Sequence, residues 1–171
     1  MKKVFSFFAA TAVMLSVGLS SCAEEDPAKP LEVDWDKVAT VKGTIFYVPD
    51  ANDNKLKASS NIKIRATIPY NSIFPGMGFS GNYVIPEGKI DYSSSTGEYS
   101  FPVPVEATGN VTITVEDFTG IRKNTSNVDE AVIWSLPYPF YFSASITSGK
   151  ITIVDYKVLE WSLAKKIDDT L

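Results

Sequence analysis

The chain has no histidine and a single cysteine, Cys22, in 171 residues. Without histidine it lacks the side chain best suited to proton transfer near neutral pH. Serine–histidine and cysteine–histidine nucleophiles and the usual zinc ligand sets are excluded with it. One cysteine also excludes an internal disulfide. Basic residues do not cluster beyond pairs such as Lys165-Lys166, and the formal charge is −4. Nucleic-acid binding therefore lacks its electrostatic footprint. No stretch carries a convincing helical period, and no apolar run after the N-terminal one is long enough to span a bilayer. No cofactor-binding pattern survives inspection.

The N-terminus is informative. Met1-Lys2-Lys3 is followed by an uncharged stretch from Val4 to Gly18 and then by Leu19-Ser20-Ser21-Cys22. A positive start, a short apolar core and small residues have the layout of a secretory signal peptide. The core is shorter than the roughly 20 apolar residues of a membrane helix. A free thiol is a liability in an oxidising compartment, but a thiolate accepts a lipid readily. Leu19-Ser20-Ser21-Cys22 resembles the lipobox of bacterial lipoproteins. That resemblance implies cleavage after Ser21, lipidation of Cys22 and attachment to the bacterial outer membrane, where two acyl chains anchor stably and one does not. Glu24, Glu25 and Asp26 resemble the acidic tract that directs such lipoproteins to the cell surface in Bacteroides-type bacteria; the alternative is a solvated tether on the periplasmic face.

The expected organisation is a removed signal peptide (1–21), a lipidated tether (22–37), one β-sandwich domain (38–163) and a C-terminal tail (164–171). Prolines and acids crowd 23–37, which reads as extended chain. Trp35, within it, is expected to be more exposed than the aromatics of the domain.

From Val38 the apolar pattern has period two, the mark of half-buried strands. In "NIKIRATI", Ile62, Ile64, Ala66 and Ile68 share one face. In "GEYSFPVPV" the inward set is Tyr99, Phe101, Val103 and Val105, and in "NVTITV" it is Val111, Ile113 and Val115. "VATVKGTIFYV" and "KITIVDYKVL" are further strands. In the second, the apolar phase shifts from Ile151 and Ile153 to Val154, Tyr156 and Val158, which predicts a bulge near Val154. Pro102 and Pro104 remove two donors from one side of their strand, which places it at an edge or leaves it paired on one side only. The closing "WSLAKKIDDTL" reads as a short helical turn or a frayed end. The whole predicts an all-β fold: a single Ig-like or transthyretin-like antiparallel β-sandwich of about seven to nine strands.

Four segments carry a resemblance. Val41-Lys42-Gly43-Thr44-Ile45, Asn61-Ile62-Lys63-Ile64, Thr96-Gly97-Glu98-Tyr99-Ser100-Phe101 and Gly109-Asn110-Val111-Thr112-Ile113-Thr114-Val115 resemble successive strands of the carboxypeptidase-regulatory-like, or transthyretin-like, domain. The Thr-Gly-x-Tyr-x-Phe step is its most specific element, with glycine in the turn and both aromatics in the core. The resemblance covers about 41–118 and departs at an insertion around 69–95 and extra strands after 118. It implies a non-catalytic accessory fold and no site residues.

Two long connections interrupt the alternation, 69–89 and 119–142, and loops of such length are often functional. Their aromatics are the candidate binding residues: Tyr70, Phe74, Phe79 and Tyr83 in the first, and Trp134, Tyr138 and Phe140, with Tyr141 and Phe142, in the second. Exposed rings there would serve as a stacking surface for a glycan or as anchors for an envelope protein. Otherwise they cap the sandwich, burying roughly 150–250 Å² each. Coplanar exposed rings favour the glycan, and an apolar patch without a polar groove favours the protein.

Three other patterns are weighed and set aside. Gly76-Met77-Gly78-Phe79-Ser80-Gly81 spells G-x-G-x-x-G, but β-type residues and Pro86 follow where a phosphate-binding helix should start. Asp50, Asn52 and Asn54 fit the opening of a calcium loop. Lys55 stands where that motif needs glycine and Asn61 where it needs glutamate, so a turn is the better reading. Glu87, Asp91, Glu98, Glu116, Asp117, Asp129 and Glu130 could supply a glycosidase pair, but none has a distinguishing setting. The reading is a non-catalytic, lipid-anchored binding or scaffolding protein of the outer envelope, with a carbohydrate-binding surface lipoprotein as the alternative.

Overall fold

The alternating stretches form strands. The computed structural model describes residues 31–164; the expected signal peptide, Cys22, the acidic tract and the residues from 165 onward lie outside them. In chain order the strands begin with β1 (Val38–Phe46), β2 (Ile64–Pro69), β3 (Asn82–Val84) and β4 (Asp91–Tyr92). Next come β5 (Glu98–Pro104), β6 (Thr108–Val115), β7 (Phe118–Lys123) and β8 (Asp129–Ser135). Last are β9 (Phe142–Thr147), β10 (Ile151–Ile153), β11 (Lys157–Val158) and β12 (Glu160–Leu163). Eight of these exceed three residues, within the expected seven to nine; the others are short edge pieces. Among the described residues helix is confined to α1 (Tyr70–Ile73) and a 3-10 turn at Glu87–Lys89.

One sheet has the order β10-β1-β5-β4 and a second the order β3-β2-β6-β9. Val41, Ile45, Tyr99, Phe101 and Val103 of the first form one buried cluster with Ile64, Ala66, Ile68, Val111, Ile113 and Ile146 of the second. Each such side chain contributes about 1.5–3 kcal/mol by leaving water. The fold is thus an all-β sandwich. A third sheet, β12-β8-β7, adds Val132 and Trp134 to the same core.

The proline and bulge expectations both have a counterpart in the ladders. β5 pairs with β1 along Val38–Thr44, whereas β4 reaches only Tyr99 and Ser100, so Pro102 and Pro104 stand where β5 has one neighbour. β10 pairs with β1 in parallel at Lys42↔Ile153, and β11 resumes at Ile45↔Lys157. Three steps along β1 thus face four along the other strand. The extra residue falls between Val154 and Tyr156, the expected bulge. Ile151 and Ile153 themselves turn outward and are exposed, because Thr152 takes the inward position.

Three expectations need correction. The 119–142 connection is largely a β-hairpin: β7 pairs with β8 from Phe118↔Trp134 to Lys123↔Asp129. Val132, Trp134 and Leu136 alternate inward, and Ile133 between them had disguised the period. Trp161-Ser162-Leu163 is neither helical nor frayed, for it pairs with Val132–Trp134 of β8. Trp35 is half buried, less exposed than Tyr138 or Phe140. Its ring meets Tyr83 edge-on at 6.4 Å, and the Lys89 ammonium lies over it at 4.8 Å. The last tether residues therefore belong to the folded unit, which begins at Val33.

Candidate functional site

The two aromatic segments occupy opposite ends of the β3-β2-β6-β9 sheet. Tyr70 follows Pro69, the end of β2 that lies nearest the start of β6. Phe142 pairs with Ile113, which pairs with Ala66, so the segment before Phe142 runs to the other end, that of Ile64 and Val115. The structure therefore does not unite the candidates on one platform.

At the first end the rings form a cap. Phe74 and Tyr83 pack against the core, and Tyr70 meets Tyr83 edge-on at 6.2 Å. Only Phe79 is substantially open, 42% exposed, with its edge against Phe74 at 6.2 Å. The chain enters beside this cap. The Lys37 backbone carbonyl accepts from the Val105 N–H at 3.0 Å, and the Glu106 N–H donates to the Ser72 carbonyl at 3.0 Å. Lys37 donates to Glu106 at 2.8 Å; that bond, with the carboxylate's charge, holds the ammonium above its ordinary pKa. The G-x-G-x-x-G stretch runs through the adjoining loop into strand β3, and no helix follows it.

At the other end the rings point into solvent. Trp134 is not among them: it is 1% exposed, a core residue touching Tyr47 edge-on at 5.1 Å, and is withdrawn as a ligand contact. Its place on the inward side of β8 opposite Trp161 accounts for that burial. Tyr138 is 84% exposed, Phe140 60% and Tyr141 49%. The Phe140 N–H donates to the Pro137 carbonyl at 2.9 Å, closing a tight turn around a cis Tyr138–Pro139 peptide. Phe140 has φ +68°, a left-handed conformation that costs a bulky residue about 1–3 kcal/mol. Tyr138 and Phe140 meet at 87° with centroids 5.8 Å apart. They form an apolar tip whose two rings are perpendicular, not coplanar.

A second concave feature was not foreseen. A shallow depression of about 620 Å³ lies on the β10-β1-β5-β4 sheet. Register places Ile153, Lys42, Ser100 and Asp91 in one row across its four strands. Lys42 is the cation of its lining, and Asp91 and Glu98 are the acids. Tyr99 contributes a hydroxyl without a partner, and burial raises its pKa. Burial also raises that of Tyr92, partly offset by the Ser59 backbone. The sequence signal was weak, because outward-facing polar residues of a strand look alike whether or not the sheet curves around them.

The Asp50-Asn52-Asn54 cluster is a turn. Asp50 Oδ1 accepts the Asn52 N–H at 2.9 Å, and the Asp50 carbonyl accepts from the Asn54 N–H at 3.2 Å. Asn52 directs its amide nitrogen to the Asn124 carbonyl at 3.0 Å and to Asn127 Oδ1 at 3.2 Å, stitching this loop to the β7–β8 turn. Among the described residues no three acids gather as metal ligands would. Of the other acids, Glu116 pairs with Arg65, Glu130 accepts from Asn124 at 2.9 Å and Glu98 from Thr96 at 3.1 Å, while Asp91 shares with Glu98 the depression on the first sheet.

Compared with protein-family models, curated proteins and solved structures, the chain matches none.

Proposed function

We propose that the protein is an exported, lipid-anchored binding or scaffolding component of the bacterial outer envelope, which docks an envelope protein through the tip Tyr138-Pro139-Phe140-Tyr141. The observation that carries this reading is the exposure of three adjacent aromatics on a turn held in a costly backbone conformation. Aromatic side chains with few rotamers are common anchors of protein interfaces. A glycan stacks best on coplanar rings, and the 87° angle between Tyr138 and Phe140 favours a protein partner over that alternative. The lipid anchor rests on Leu19-Ser20-Ser21-Cys22 and surface display on Glu24-Glu25-Asp26. The carboxypeptidase-regulatory-like kinship rests on the quoted strand motifs. The Gly97 turn at φ +73°, with Tyr99 and Phe101 stacked at 6.0 Å behind it, agrees with them.

The test is photo-crosslinking in intact cells. A photoreactive residue at position 138 should give one discrete adduct with an envelope protein, and the same residue at exposed Ser95 should not. Equal labelling from both positions would remove the tip as the docking element. Retention on a polysaccharide matrix, abolished by Tyr138→Ala, would instead favour the glycan reading.

A further inference from the structure

We propose that the loop from Phe74 to Gly81 rests on the phospholipid surface to which the chain is anchored, inserting Met77 and Phe79 among zwitterionic headgroups. The inference rests on the lipidation of Cys22 and is independent of the tip at Tyr138. No charged side chain occurs between Arg65 and Glu87. The base of the loop is closed: the Tyr70 N–H donates to the Gly81 carbonyl at 3.0 Å, and the Phe74 N–H to the Tyr70 carbonyl at 2.8 Å. Its crest stands clear of the sandwich. Gly76 and Gly78 have φ of +82° and +69°, which glycine adopts freely, and a Cβ at either would meet nothing within 4 Å. Met77 is 59% exposed, and Phe79 is the open ring of the cap. Apolar side chains exposed together on one uncharged loop mark an interaction surface.

The point where the chain enters names the occupant. Lys37 holds Glu106, whose N–H donates to Ser72 just before the loop, and Trp35 lies against Tyr83 just after it. Loop and entering chain therefore share one end of the sheet. Val33, where the folded unit begins, is eleven residues on from Cys22, a chain of at most about 40 Å. A domain held that closely meets the bilayer with its entry end. Trp35, Tyr83 and Tyr70, each half buried, touch in series at the loop's base. Aromatic rings with a polar edge favour the level of the headgroups.

The charges beside the loop select the lipid. Asp34, Asp36, Glu87 and Glu106 stand against Lys37 and Lys89. Of the two cations, Lys37 is engaged by Glu106 and Lys89 lies over the Trp35 ring. Among the described residues this end thus lacks the basic cluster that draws a protein to anionic lipid. Apolar insertion into a zwitterionic surface is what these side chains fit.

The experiment uses the lipidated parent chain in phosphatidylcholine vesicles, with an environment-sensitive fluorophore on Ser80→Cys or, for comparison, on Tyr138→Cys. Acylation of Cys22 leaves the introduced cysteine as the one free thiol. A nitroxide quencher carried on the lipid should quench position 80 at least about 3-fold more than position 138. Raising salt from about 0.1 M to about 1 M, which shortens the Debye length from about 10 Å to about 3 Å, should leave that difference unchanged. Met77→Ser combined with Phe79→Ser should abolish it. Met77→Leu combined with Phe79→Leu should retain it, which guards against a folding defect in the serine variant. Vesicle flotation separates the two ways of failing. A chain that does not float lacks the anchor, and both readings fall. A floating chain whose position 80 is quenched no more than position 138 overturns the insertion alone, as does a difference that the serine variant keeps or that salt removes.

Discussion

Tyr99 lies across Gly43. The two residues face each other in the β1–β5 ladder, and a Cβ at Gly43 would lie 2.5 Å from the Tyr99 hydroxyl oxygen and 2.7 Å from the ring carbon that bears it. The ring fills the space of the missing side chain and stacks on Phe101. Gly43→Ala must therefore displace a ring embedded in the core. Equilibrium denaturation should show a loss of about 1–3 kcal/mol, the usual cost of overpacking. An unchanged midpoint would mean that the ring has somewhere else to go.

The same ring predicts an alkaline limit to stability. Burial raises the Tyr99 pKa above its unfolded value, near 10. Above that pH the unfolded chain loses the phenolic proton while the folded chain keeps it. Stability supplied by the neutral hydroxyl is thus complete below about pH 10 and falls as pH rises, by about 1.4 kcal/mol per pH unit. Tyr99→Phe should flatten this decline. It should cost little at pH 7, because the hydroxyl has no partner to lose.

Two aromatics of one segment should behave in opposite ways. Trp134→Ala empties a core position and should cost about 3–5 kcal/mol, whereas Tyr138→Ala should stay within about 0.5 kcal/mol of the parent. Phe79→Ala, at the opposite end, belongs with Tyr138 and should cost less than about 1 kcal/mol. Thermal melts of the three variants decide this, and similar losses at 134 and 138 would contradict the assigned burial.

The Asn52 amide should matter through its hydrogen bonds and not through a metal. Asn52→Ala removes its bonds to Asn124 and Asn127 and should cost about 0.5–1.5 kcal/mol. A chelator should leave the melting temperature of the parent where it was. A drop that added calcium reverses would restore the metal-loop reading.

Cys22→Ser should move the protein from the membrane fraction to the soluble fraction of the envelope. Retention on membranes would remove the lipid anchor. For the anchored parent, protease added to unbroken cells should cleave the chain if Glu24-Glu25-Asp26 directs it outward, and protection would place it on the periplasmic side.

Much of the sandwich was legible because a strand half in water must alternate. Ile62 to Ile68 and Tyr99 to Val105 show the same order in sequence and in burial. Pro102, Pro104 and the phase shift at Val154 even marked where a strand lacks a neighbour and where one slips by a residue. The fate of the aromatics was not legible. Trp134 and Tyr138 are four residues apart in one apolar stretch, and one is buried while the other is solvated. What separates them is the ladder from β8 to both β7 and β12, a long-range pairing that local composition does not encode. Ile151 and Ile153 mislead for the same reason, since an apolar residue on an outer face reads like a core residue. The contact of Arg122 with Trp161 was invisible because the two residues are far apart in sequence and meet only across β8.

The opposite placement of the two aromatic ends gives the domain a direction. Its peptide enters at the pole where Trp35, Tyr83 and Lys37 are fixed, and the solvated turn at Tyr138 forms the other pole. A body moored by its entering strand meets its surroundings with the far pole first. If Cys22 anchors the chain as proposed, the sandwich acts as a spacer that carries the tip away from the membrane, and grafting the same turn beside α1 should present it backwards, towards the anchor.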